Sequence, residues 1–134
     1  MIIRPEILDS LVEAINNTLA QGGPSVNDEG QCRYRSEDGK RCVLGWMIPD
    51  TMYHSRVEGS QICFNDKLEM ILADVFQGRL SHTEMEFLRK FQLVHDDASA
   101  NNAWEGVYSE FLKTFEQTGF PQFASKINKP EGMV

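Results

Sequence analysis

The sequence has no run of about 18 apolar residues, which excludes a helix able to cross a bilayer. It also opens without an apolar leader: MIIRPEILDS turns acidic within ten residues, so neither a secretory signal nor a membrane partner is expected. Cysteine is scarce, three in 134 residues. An odd number with no C-x₂-C pair builds no closed disulfide framework and predicts reduced thiols in a cytoplasmic protein. Basic residues are outnumbered, 13 Lys and Arg against 20 Asp and Glu, for a net charge of −7. Generic attraction to nucleic-acid phosphate is therefore not expected, nor is direct nucleic-acid binding. G-x-S-x-G, a phosphate-binding glycine loop and H-E-x-x-H are missing too, as are internal repeats. No familiar catalytic motif marks the chain as an enzyme.

Apolar content is 41%, enough for one globular domain over residues 1–134 with its own core. Pro5 suits a first helical position, and Ile7, Leu8, Leu11, Val12, Ile15 and Leu19 recur at helical spacing, predicting a helix over about 5–20. Asn65 is a good N-cap for a helix over 66–76. Ser81 and Glu84 have capping-box spacing and start a helix ending near His95, with polar Gln92 turned outward. Asn101 or Asn102 begins a last helix with an aromatic stripe from Trp104 to Phe115, closed by Gly119. The tail from about 120 reads as irregular, with Phe120 and Phe123 tucked in. The expected class is mainly α, α+β in the loose sense: about four principal helices with one small β-hairpin after the first.

That hairpin is the most informative stretch, QCRYRSEDGKRCVLGWMIPDTMY at 31–53. A two-residue Asp38-Gly39 loop would mix charged and apolar side chains on one face. A three-residue Glu37-Asp38-Gly39 loop instead sets Cys42 opposite Tyr34 and Leu44 opposite Cys32. The second register agrees better with burial, pointing Cys32, Tyr34, Cys42 and Leu44 inward and Arg33, Arg35 and Arg41 outward, with Val43 the one apolar exception on the outer face. Lys40 joins the arginines at the turn, so a basic patch stands on an acidic protein. Arginine suits bidentate contacts to carboxylate or phosphate, and Arg33, Arg35, Lys40 and Arg41 are the candidate partner-binding residues. A solvated strand face, offset by Glu37 and Asp38, is the plain alternative. Downstream, Val43–Ile48 is too apolar to lie on the surface, and Gly45 marks a bend or a close backbone approach.

Two chemical alternatives remain in view. Cys32, Cys42, His54 and Cys63 make a donor set zinc accepts, although the intervening lengths of nine, eleven and eight residues fit no zinc knuckle. Without zinc, no cofactor is expected. His95 with Asp96 and Asp97 could supply a base beside carboxylates, with a cysteine as nucleophile. Neighbours on a helix do not face one another, however, and a histidine at a helix C-terminus is accounted for by the dipole. A nucleotide-like ligand on the basic face is a further alternative.

Cys32-Arg33-Tyr34-Arg35, Asp38-Gly39, Cys42, Gly45, Ile48-Pro49-Asp50, Tyr53 and Glu58-Gly59 together resemble a pattern in small uncharacterised proteins of bacteriophages and prophages. Leu93-Val94-His95-Asp96 is similar to a leucine–histidine–aspartate stretch in the same group. The similarity covers roughly residues 31–97. It implies a phage origin and an accessory protein in the host cytoplasm, acting by stoichiometric binding to a host protein or complex. Inhibition of a host defence system, as by an anti-CRISPR, is one form of that action.

Overall fold

The computed structural model describes residues 2–58 and 65–133. Among the described residues four long helices carry the fold: α1 (Pro5–Ala20), α3 (Asp66–Val75), α4 (His82–Ala100) and α5 (Val107–Gln117), with a one-turn helix α2 (Val43–Trp46) between the first two. Short 3₁₀ turns at Ser55–Val57, Trp104–Gly106 and Pro121–Lys126 complete the order. No helix among the described residues is long and apolar enough to cross a membrane.

Each helix starts where its chemistry allows. Pro5 opens α1 with no N–H to satisfy. Asn65 accepts from the Leu68 amide at the head of α3, and Ser81 and Glu84 form a complete capping box on α4. Glu84 does more: it accepts from the Arg4 backbone amide at 3.1 Å and from its Nε at 3.0 Å, tying the heads of α1 and α4 together.

α4 does not end near His95. It continues to Ala100, because Ala98 is buried against the core and His95 sits inside the packed face. Gln92 likewise turns inward, only 3% exposed. Both follow the helical spacing of Glu84, Leu88, Phe91, Gln92, His95 and Ala98, so one stripe of α4 is buried regardless of polarity. Phe87, Phe91, Phe111 and Phe115 fill the centre, with Phe91 and Phe115 4.6 Å apart between centroids. The segment from 120 onward contributes a 3₁₀ turn and packs Phe120 and Phe123 on this cluster, Phe120 lying 5.3 Å from Phe87. Asn16 on α1 holds it, donating to the Lys126 carbonyl and accepting from the Asn128 amide.

The expected β-hairpin is corrected: among the described residues there is no β-strand, only isolated antiparallel bridges at Val26–Cys32 and Arg35–Arg41. The chain does reverse about Gly39, at φ +87°, with the Ser36 amide donating to the Lys40 carbonyl and the Cys42 amide to the Tyr34 carbonyl. Two causes stop the ladder there. The Tyr34 and Arg35 amides donate to the Glu58 carboxylate, each at 2.9 Å, and the Arg33 amide to the Ser25 carbonyl. On the other side the chain enters α2, capped by the Cys42 sulfur, which accepts from the Gly45 amide. Gly45 lies so close to the Tyr34 carbonyl that a Cβ there would collide with it. Leu44 therefore never pairs with Cys32, and Cys32 is exposed while Cys42 is buried.

Candidate functional site

The four basic residues of the 31–41 stretch are not equivalent. Arg33 pairs with Glu58 at 3.3 Å. Arg35 donates to the Ile48 carbonyl at 2.8 Å, reaches Asp50 at 2.9 Å and lies over the Tyr53 ring at 4.4 Å. Arg41 reaches the same Asp50 oxygen at 3.0 Å and lies over the Trp46 ring at 4.6 Å. Lys40 pairs with Asp38 at 2.9 Å. Hydrogen bonding from the Ser36 hydroxyl, reinforced by Lys40, lowers the Asp38 carboxyl to about 2. Arg35 and Arg41 thus form one layer: two guanidiniums, each over an aromatic ring, sharing one exposed carboxylate.

Glu58 is the residue that sequence reasoning missed. Its carboxylate, 7% exposed, accepts from the Tyr34 and Arg35 amides and from the Tyr53 hydroxyl at 2.7 Å, beside Arg33. The Tyr53 hydroxyl is pushed above its ordinary value, first by burial and then by the bond it donates to Glu58. A lone glutamate in a polar loop gives no periodic signal, so only its distance in sequence from Tyr34 hid it.

His95 and Asp96 do meet, against the expectation for helix neighbours: Nδ1 lies 2.9 Å from an Asp96 oxygen. The imidazole is long enough to reach around the helix to the next carboxylate. Its other nitrogen, Nε2, accepts from the Ser25 amide at 3.0 Å, so the proton resides on Nδ1. Gln92 extends the network, donating to Asp96 at 2.9 Å and accepting from the Leu44 amide at 3.0 Å. With Nε2 committed to Ser25 and fully buried, the ring offers no lone pair to a substrate in this arrangement. Trp104 packs edge-on against it, centroids 5.5 Å apart.

Of the cysteine and histidine set, Cys42 is buried and burial pushes its thiol up, disfavouring the thiolate a metal needs. His54 is exposed. Cys63 lies outside the described residues. The convergent metal-ligating group among the described residues is a different one, Cys32, His95 and Asp96, with donor atoms all within 4.8 Å of one another.

An open cleft of about 640 Å³ lies between the 26–29 and 36–38 loops, with Arg33 among its walls. Asp28, Glu29, Glu37 and Asp38 line it as well, so an anion approaching Arg33 there meets four carboxylates. That electrostatic setting opposes a phosphate-bearing ligand. No family model, curated protein or solved structure matches the chain.

Proposed function

We propose that the protein acts without catalysis, by stoichiometric binding to another protein, with Arg35, Arg41, Trp46 and Tyr53 at the centre of its contact surface. The observation that carries this reading is the layer of two guanidiniums over two rings with Asp50 shared between them. Arginine, tryptophan and tyrosine are the types that concentrate binding energy at interfaces. Here they are stacked and ion-paired within the chain itself, so little side-chain freedom is lost on docking. One carboxylate between two arginines also leaves room for a second from an acidic patch on the partner. The resemblance over roughly residues 31–97 supports a phage or prophage origin and a host protein, including a defence system, as that partner.

The test is affinity capture from bacterial lysate followed by native mass spectrometry, comparing the wild-type chain with a Lys40→Glu, Arg41→Glu double variant. A single host protein at one-to-one stoichiometry is expected, with affinity reduced about tenfold or more in the variant, a loss of about 1.4 kcal/mol. Arg33 and Arg35 are left intact because they hold Glu58 and the Ile48 carbonyl. Undiminished capture by the folded variant would remove this surface from the reading. Absence of any stoichiometric partner would remove the reading itself.

A further inference from the structure

We propose that Cys32, His95 and Asp96 form a binding site for one zinc ion, a property separate from the protein-binding reading. Thiol, imidazole and carboxylate together are a donor set zinc takes up, and three protein ligands leave a fourth position for water. Their donor atoms already lie within 4.8 Å of one another. Two come from a single turn of α4, and the third from a separate segment bridged to Val26. Cys32 is exposed, giving the ion a route in, while His95 is fully buried and Asp96 partly so.

The geometry needs little adjustment at one edge and more at the other. With zinc–nitrogen and zinc–oxygen bonds of about 2.0–2.1 Å, tetrahedral angles put the two donor atoms about 3.3 Å apart. His95 Nδ1 and the Asp96 oxygen are 2.9 Å apart, so they must open by only a few tenths of an ångström. Sulfur and nitrogen on one zinc stand about 3.6 Å apart, so from a separation of at most 4.8 Å Cys32 is drawn inward by up to about 1.2 Å. The outer support is in place: Gln92 donates to the Asp96 carboxylate at 2.9 Å and orients it.

Loading has a definite cost, and the cost makes the proposal specific. Zinc on Nδ1 requires the imidazole proton to move to Nε2, which now accepts from the Ser25 amide. Two donors cannot share that contact, so Ser25 must release the ring. Ser25 belongs to the same paired segment that carries Cys32: its carbonyl accepts from the Arg33 amide, and its neighbour Val26 bridges to Cys32. Drawing Cys32 toward the metal therefore moves the strand-like pair that holds Ser25. In the balance, the Cys32 thiol gives up one proton to solvent and His95 remains neutral. Thiolate and carboxylate then cancel the charge of the ion, which suits a half-buried site.

Cobalt(II) is the probe, because a cobalt–thiolate bond adds a charge-transfer absorption that amine and carboxylate ligands do not give. One cobalt per chain is expected, with that band lost in Cys32→Ser and retained in Cys63→Ser. Zinc should displace the cobalt, and in amide-resolved NMR the Ser25 resonance should shift on zinc addition. Cys32→Ser changes an exposed side chain and keeps the fold, so its result is readable. Asp96→Asn should weaken the band without abolishing folding. No band, a band that survives Cys32→Ser, or a Ser25 resonance unmoved at saturating zinc would each overturn the proposal.

Discussion

At the scale of single residues, Glu58 does for the 31–42 stretch what a second strand would have done. Two consecutive amides of that stretch, from Tyr34 and Arg35, donate to it, and the Tyr53 phenol donates from outside the stretch. A buried amide left without an acceptor costs about 1–3 kcal/mol. Glu58→Ala takes the shared acceptor from two part-buried amides and removes the partner of Arg33, so urea unfolding should show a loss of about 2 kcal/mol. A loss under about 0.5 kcal/mol, the usual range for a surface change, would show that water satisfies those amides. What the sequence disclosed here was the reversal about Gly39 and the facing of Cys42 and Tyr34 beside it, whereas the ladder expected beyond, with Cys32 inward and opposite Leu44, does not form. What it hid was the competition for backbone amides, since no local pattern connects Glu58 to Tyr34. Gly45 was legible as a close-contact glycine, whereas the Tyr34 carbonyl it meets was not.

At the scale of elements, the head of α4 shows how a local motif acquires a long-range role. The Ser81 and Glu84 spacing alone announced the capping box. The involvement of Arg4 follows only from the packing of α1 beside α4. Burial by itself would raise the Glu84 carboxyl, but the Arg4 side chain and the Ser81 and Arg4 amides outweigh it and hold the group below its ordinary value. A carboxyl lowered in the folded state contributes stability that is complete above the unfolded value of about 4.3 and disappears as pH falls through the folded value. Thermal unfolding should therefore become easier as pH drops below about 4, and Glu84→Gln should flatten that part of the curve. An unchanged slope in the variant would assign the acid sensitivity to other carboxylates. The far end of α4 was misjudged for a related reason. His95-Asp96-Asp97 reads as an end signal or as surface, yet Gln92 and His95 continue the stripe begun by Leu88 and Phe91. Polarity masked a periodicity that was present.

At the scale of the whole molecule, the tail and the helices share one core. Ile127 is 5% exposed and joins the same cluster as Ile7 and Phe115. Truncating such a residue costs about 2–5 kcal/mol. Ile127→Ala should therefore lower the melting temperature by roughly 10 °C while preserving a single transition. A melting temperature unmoved by the change would make the tail an appendage rather than a wall of the core. Composition and helical spacing made most of the helices and their apolar faces legible, the far half of α4 and the start of α5 excepted. The tucking of Phe120 and Phe123 was legible as well, but not the Asn16 hydrogen bonds that hold the tail, which span more than a hundred residues of sequence.

The chain has two tryptophans, and their positions amount to a built-in pair of optical reporters. Trp46 lies under the Arg41 guanidinium and donates its indole N–H to Gln21, whereas Trp104 stands edge-on to His95 with its indole N–H buried and unbonded. A macromolecule settling on the arginine layer perturbs the emission of the first. A metal entering beside His95 quenches or shifts the second. Replacing either tryptophan by phenylalanine leaves a protein whose fluorescence answers for one region alone, so the two proposals can be followed in a single cuvette without any label.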